Sequence, residues 1–286
     1  MRHRAPDDYD NRRFRPRRPR RDRRTVLEPA LARLAPGFLV AGGAATAGLL
    51  AVGGTNVLGQ QEQSARTFTV RIENVSTGMT LMTTADGEAS EQPVPLSPGA
   101  YAVHTRDEPI FSEGEPERDN GLEEIAEDGM PGKLAESLAG RDTVVDSGAF
   151  ATPEGMDSPG PLLPGHAYEF SVTAASGNPR AYLSLVTMFI PSNDLFLTLG
   201  GAGGLPLFKQ SNGMAPMAGN VTDHVSLWDA GTEVNEEPGT GPNQAQRQSG
   251  AGVGLVERGT VAPIEAVNGY DYPAVSDVVK VTLTPQ

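Results

Sequence analysis

The stretch Thr67-Phe68-Thr69-Val70-Arg71-Ile72-Glu73-Asn74-Val75 alternates in character, with Phe68, Val70 and Ile72 on one side and Thr69, Arg71 and Glu73 on the other. A period of two is the repeat of an extended chain, whose successive side chains point to opposite faces. The segment therefore predicts a half-buried strand of an antiparallel sheet. Comparable runs occur at 79–84, 99–104, 167–174, 181–190, 221–228 and 277–284. Turn-forming residues separate them, among them Asp86-Gly87, Ser97-Pro98-Gly99, Pro164-Gly165 and Gly177-Asn178-Pro179. Many short strands with no regular strand–helix alternation predict an all-β fold, a sandwich or a barrel.

One short helical insertion interrupts the strands. Leu122, Ile125, Leu134 and Leu138 fall at helical spacing, broken at Gly129-Met130-Pro131-Gly132. The glycines at 200–204 precede Leu205-Pro206, so no helix opens there to receive a phosphate, and they read as a flexible turn. Residues 235–254, NEEPGTGPNQAQRQSGAGVG, read as a long loop, and loops of that length inside a domain are commonly functional or mobile.

The chain has 286 residues, and its charge is divided unevenly. Residues 1–59 hold 12 Lys+Arg against 5 Asp+Glu (net +7), and residues 60–286 hold 11 against 31 (net −20). An acidic body of this kind cannot displace the counterions around phosphates, which excludes nucleic acid as its partner. Only Lys133, Lys209 and Lys280 supply lysine, and a hydrated carboxylate surface with so little lysine suits high salt, where screening weakens self-repulsion. There is no cysteine, which excludes disulfides, thiol nucleophiles, iron–sulfur clusters and cysteine-ligated zinc.

Residues 1–33 are basic and Pro-rich at their start, and are expected to be disordered. Residues 34–61 carry no charge and centre on GFLVAGGAATAGLLAVGG. A basic region followed by a moderately apolar one is the layout of an export signal, and Arg23-Arg24 before Thr25-Val26-Leu27 resembles a twin-arginine signal. A retained membrane anchor is the competing reading, because the segment is near the roughly 20 residues a spanning helix needs. Ala45-Thr46-Ala47 fits a small-residue cleavage pattern but lies inside the apolar run. Residues 66–286 are then an exported domain, secreted or at the cell surface, with any membrane attachment confined to 34–61.

The chemistry of this domain rests on carboxylates. The sequence holds no H-E-x-x-H, G-x-S-x-G, P-loop or G-x-G-x-x-G pattern, and its histidines, His3, His104, His166 and His224, are scattered. Asp194 sits in a polar knot, Ser192-Asn193-Asp194, that ends an apolar run. Asp229 and Glu233 follow the only tryptophan, Trp228, four residues apart around Gly231, which permits a tight turn. Hard cations such as calcium take six to eight oxygen ligands, which two acids about a glycine turn and a third from another loop can begin to supply. Zinc suits them poorly, since no cysteine or histidine is grouped with them. No D-x-D-x-D-G run marks an EF-hand.

Ser192-Asn193-Asp194-Leu195-Phe196 followed by Trp228-Asp229-Ala230-Gly231-Thr232-Glu233 resembles the spondin domain. The segments 111–116 and 121–129, the opening strand 67–75 and the closing Val279-Lys280-Val281-Thr282-Leu283 are similar to its prokaryotic members, so the resemblance covers nearly all of 66–286. It implies an antiparallel β-sandwich akin to C2 domains, with one calcium ion held by Asp194, Asp229 and Glu233. The last of these is aspartate in the animal domains. The resemblance also implies a binding role without catalysis, toward an extracellular or cell-envelope ligand. The alternative is a metal-assisted hydrolase in which His224 joins the same carboxylates around an activated water. Asn74-Val75-Ser76 and Asn220-Val221-Thr222 match the N-glycosylation sequon.

Overall fold

The computed structural model describes residues 65–286, except 86, 106–107, 178, 210–214 and 268. The basic segment 1–33, the apolar segment 34–61 and the export and anchor readings attached to them lie outside the described residues.

The opening alternation becomes β1, Ala65–Asn74. Phe68, Val70 and Ile72 are buried at 0–1% exposure, while Thr69, Arg71 and Glu73 face outward. Along the chain follow β2 (Leu81–Ala85), β3 (Glu88–Gln92) and β4 (Leu96–His104). Two helices come next, α1 (Leu122–Asp128) and α2 (Gly132–Ala139). Then come β5 (Val144–Phe150), β6 (Ala167–Ala175), β7 (Tyr182–Phe189) and β8 (Leu195–Leu199). The remainder is β9 (Leu205–Pro206), β10 (Gly219–Asn220), β11 (Val225–Asp229), β12 (Ala262–Pro263), α3 (Val275–Val278) and β13 (Val279–Pro285).

These strands build an antiparallel β-sandwich. One sheet runs β10-β13-β1-β6; the larger runs β12-β11-β8-β7-β4-β5, with β9 against β7. A separate hairpin pairs β2 with β3. In the smaller sheet Val70 lies opposite Leu283 and Phe170, and Ile72 opposite Val281 and Tyr168. That register turns the apolar side of all three strands inward, where Phe68, Val70, Ile72, Tyr168, Val281 and Leu283 meet Leu183, Leu185, Leu195 and Leu197 of the larger sheet. Burial of this apolar area is what holds the sheets face to face.

A second core lies on the other face of the larger sheet. Leu122, Ile125, Leu134 and Leu138 of the two helices pack with Ala100, Ala102, Val186, Phe196 and Trp228. The strand β8, Leu-Phe-Leu-Thr-Leu, is consequently buried at all five positions. A strand covered on both faces has no reason to alternate, so its apolar character is continuous.

The helical insertion predicted over 121–138 is present as two helices, split at Gly129, whose φ of 67° closes α1 through its amide to Glu124 O and Ile125 O. The run 221–228 begins as a 3₁₀ turn at Thr222–His224 and becomes a strand at Val225, and the run 277–284 begins inside the helical turn α3 and becomes a strand only at Val279. Turn 200–204 is tightly packed: a Cβ on Gly204, at φ +75°, would meet Ser184 Oγ at 2.7 Å and His104 Nε2 at 2.8 Å. Among the described residues no helix is long and apolar enough to cross a membrane.

Candidate metal centre

Asp194 reaches its position through the turn between β7 and β8. The Ser192 hydroxyl donates to Phe189 O at 2.5 Å and accepts from the Leu195 amide at 3.1 Å, which folds the polar knot tightly at the sheet's end. Asn193 clamps the knot to the segment after β11, donating to Val234 O at 2.8 Å and accepting from the Glu236 amide at 3.2 Å. Asp229 ends β11 directly opposite Leu195 of β8, and the Ala230 amide donates to Asp194 O at 3.1 Å. Strand register thus sets Asp194 and Asp229 side by side.

The turn after Asp229 needs glycine. Gly231 has φ +68°, and a Cβ there would lie 2.7 Å from Thr260 N and 2.9 Å from Gly259 C. Its amide donates to Asp229 Oδ1 at 2.5 Å, and the Asn235 side-chain amide donates to Asp229 Oδ2. The amides of Thr232 and Glu233 both donate to Asp194 Oδ2 at 3.0 Å.

All three predicted acids are buried: Asp194 at 0%, Asp229 at 1% and Glu233 at 3% exposure. Burial, then repulsion from Asp229, holds the Asp194 carboxyl well above its ordinary range, against the pull of the Glu233 and Thr232 amides. Burial also raises Asp229, opposed by the Asn235 and Gly231 bonds. Burial raises Glu233 too, opposed first by the Gly254 amide and then by the nearby Asn193 side chain, which donates to Val234 O and makes no hydrogen bond to Glu233 Oε2.

The structure brings Asp194 and Asp229 together but turns the Glu233 carboxylate elsewhere. Glu233 Oε1 accepts from the Gly254 amide at 2.7 Å, and the charges that act on Glu233 are those of Glu236 and Asp128. A further buried acid in this region was not legible in the sequence. Glu127 on α1 is 3% exposed, feels the charge of Glu233 and bonds to Thr232. Burial pushes the Glu127 carboxyl up to about 7, against that bond and with Glu233 adding to the rise. In sequence Glu127 is one acid of several in the run Glu123-Glu124-Ile125-Ala126-Glu127-Asp128. Helical spacing gave no signal either: Glu127, five residues after Leu122 and two after Ile125, falls roughly opposite the apolar face of α1, where a solvated acid is expected.

Three oxygens in this region, Asp194 Oδ1, Glu233 Oε2 and Asn235 Oδ1, are buried with no hydrogen-bond partner among the described residues. Buried acceptors left without a donor are costly, by about 1–3 kcal/mol each and more when charged. A hard cation satisfies such oxygens, so the donor set present, carboxylates and an amide oxygen, fits calcium. Among the described residues no three His, Asp or Glu side chains converge tightly enough to make a ready metal cage. The acids instead form a string in which Asp194 feels Asp229 and then Glu127, and Glu127 feels Glu233.

The segment 235–254 is stitched down rather than free. Gln244 is fully buried and donates to Glu237 O at 2.7 Å, Asn243 Nδ2 donates to Glu236 Oε1 at 2.6 Å, and Gln248 Nε2 donates to Asp128 Oδ1 at 2.7 Å. Glu237 accepts from the Thr84 hydroxyl at 2.6 Å, tying the loop to the β2–β3 hairpin.

His224 stands apart from the acids. It is exposed and precedes β11, whereas Asp229 ends it. Five strand residues span about 17 Å, which is too far for His224 to act on a water bound at Asp229. A cavity of about 610 Å³, lined by Ala65, Val145, Thr173 and Ala181, lies at the opposite end of β7 from the acids. Of the two sequons, Asn74 is 1% exposed and donates its amide to Val94 O and Leu162 O, both at 2.8 Å, whereas Asn220 is exposed.

The sequence matches no family model and no curated protein at a significant level.

Proposed function

We propose that the domain 66–286 is an exported, calcium-binding β-sandwich module of the spondin type, which binds an extracellular or cell-envelope ligand and does no catalysis. One observation carries the calcium reading. Asp194 and Asp229 are packed together in the interior, and the oxygens Asp194 Oδ1 and Asn235 Oδ1 beside them have no donor. Asp194 and Asp229 would hold the ion, with Asn235 Oδ1 as a neutral oxygen ligand and Glu233 at its border. Calcium would supply the positive charge that two buried like charges otherwise lack, and it would pin the 192–194 turn to the 229–235 turn. The motif carried by Asp194, Asp229 and Glu233 supports the spondin assignment, and the basic and apolar leader supports export.

A ligand that binds only the folded state stabilises it by RT ln(1 + [L]/Kd), about 2.7 kcal/mol at a hundredfold excess over Kd. For a domain of this size that corresponds to a rise in Tm of roughly 5–10 °C. Melting of the full chain with EDTA and then with calcium chloride should show such a rise, and Asp229→Ala should abolish it. An unchanged Tm in the wild type on moving from EDTA to calcium would overturn the reading.

A further inference from the structure

We infer that the domain holds a second divalent cation, between Glu127 of α1 and Glu233, roofed by the backbone of Gly252-Val253-Gly254. This rests on the calcium reading and extends it along the string of acids to Glu127 and Glu233.

Three elements converge on the place. Helix α1 brings Glu127, and its position is fixed because Gly129, which closes the helix, lies against β4: a Cβ there would meet Ser97 Cβ at 2.7 Å. The turn after β11 brings Glu233, held through its amide to Asp194 and through the isolated bridge to Val256. The loop brings the roof. A Cβ on Gly254 would land on the Glu233 carboxylate, and one on Gly252 would lie 3.9 Å from Glu127 Oε2. Both carboxylates therefore sit against one three-residue stretch of backbone, and side chains at 252 and 254 are absent where they would crowd that space.

The charge of Glu233 acts on Glu127, and buried carboxylates that feel each other repel unless a cation or a proton lies with them. Glu233 uses Oε1 for the Gly254 amide and leaves Oε2 buried without a donor. Among the described residues no lysine or arginine salt bridge reaches either Glu127 or Glu233. The Thr232 side chain bonds to Glu127 and is within 3.4 Å of Asp194 Oδ2, so it stands between Glu127 and Asp194. Carboxylate oxygens, a threonine hydroxyl, backbone carbonyls and water are the ligand types calcium accepts.

The consequence is structural. The first ion joins the two turns at the end of the larger sheet. The second ties α1 and the 252–254 segment to the same turn, so that cation binding orders the whole end of the sandwich in two steps.

The test is stoichiometry on the full chain. Protein stripped with EDTA is titrated with calcium chloride by calorimetry, and bound metal is counted by mass spectrometry after desalting. The wild type should bind two ions, Glu127→Gln one, and Asp229→Asn one. Terbium emission excited through Trp228, which adjoins Asp229, should persist in Glu127→Gln and be lost in Asp229→Asn. One ion per wild-type chain overturns the second site whatever the variants do, and two ions in Glu127→Gln overturns the role of Glu127. No ion in the wild type removes the calcium reading itself, a result separate from losing only the second site.

Discussion

Glu233 touches Asp194 through its backbone: the Glu233 amide donates to Asp194 Oδ2 at 3.0 Å, while the Glu233 carboxylate accepts the Gly254 amide at 2.7 Å. A residue chosen for its acid group thus serves the Asp194 site with its main chain and a different place with its side chain. The separation gives the two carboxylates distinct consequences on substitution.

Asp194→Asn keeps an oxygen for the Thr232 and Glu233 amides but removes a buried charge beside Asp229. In EDTA at neutral pH the variant should be at least as stable as the wild type, because a like-charge repulsion is gone. In calcium the order should reverse, since the wild type alone gains the ligand's stabilisation. Urea midpoints measured in both conditions would show the crossing, and a variant equally far below the wild type in both would contradict it.

Gly254→Ala places a methyl on the Glu233 carboxylate. Overpacking of this kind costs about 1–3 kcal/mol. The loss should shrink in a Glu233→Ala background, where the colliding group is absent. A double-mutant cycle by chemical denaturation measures that coupling directly.

Asn74 ends β1 with its side-chain amide spent on Val94 O and Leu162 O and its oxygen on Ser76. Asn74→Ala removes a donor from each of those carbonyls, leaving Leu162 O only the Leu96 amide and Val94 O only the Ser76 hydroxyl, and takes away the acceptor of the Ser76 amide; it should cost about 1–3 kcal/mol. For the same reason no glycan should be found on Asn74 when the chain is made in a glycosylating host, as peptide mass mapping would report.

Glu73 is held below its ordinary range by its bond to Lys280, against some burial, with Arg71 adding to the effect. A folded carboxylate with a depressed pKa stabilises above its unfolded value, near 4.3, and that contribution is lost as pH falls through the lower folded value. Glu73→Gln should therefore cost up to about 1 kcal/mol at pH 7, the modest worth of a partly exposed ion pair. The difference from the wild type should vanish near pH 3. A difference that persists unchanged at pH 3 in urea melts would show that packing, not charge, is responsible.

The sequence by itself determined the elements that carry their own period. Phe68, Val70 and Ile72 announce β1, and Leu122, Ile125, Leu134 and Leu138 announce the helical insertion, because one buried face against one wet face leaves a pattern in the chain. Gly231 between Asp229 and Glu233 likewise announced a turn, and the positive φ there follows from it. What only the tertiary structure decided is what depends on covering and on register. Leu195–Leu199 is a strand buried on both faces because α1 and α2 lie over it, and a fully covered strand has no alternation to read. Strand β5, Val144–Phe150, is partly exposed along most of its length and lacks a clean alternation, so its pairing with β4 could not be read from the sequence. The pairing of Asp194 with Asp229 comes from β8 lying beside β11, and that of Glu127 with Glu233 from a helix some hundred residues away in the chain closing on the same turn. An isolated acid looks the same in sequence whether it ends in water or in the interior. Burial, which raises its pKa and leaves its oxygens in need of a cation, exists only once distant segments have packed around it.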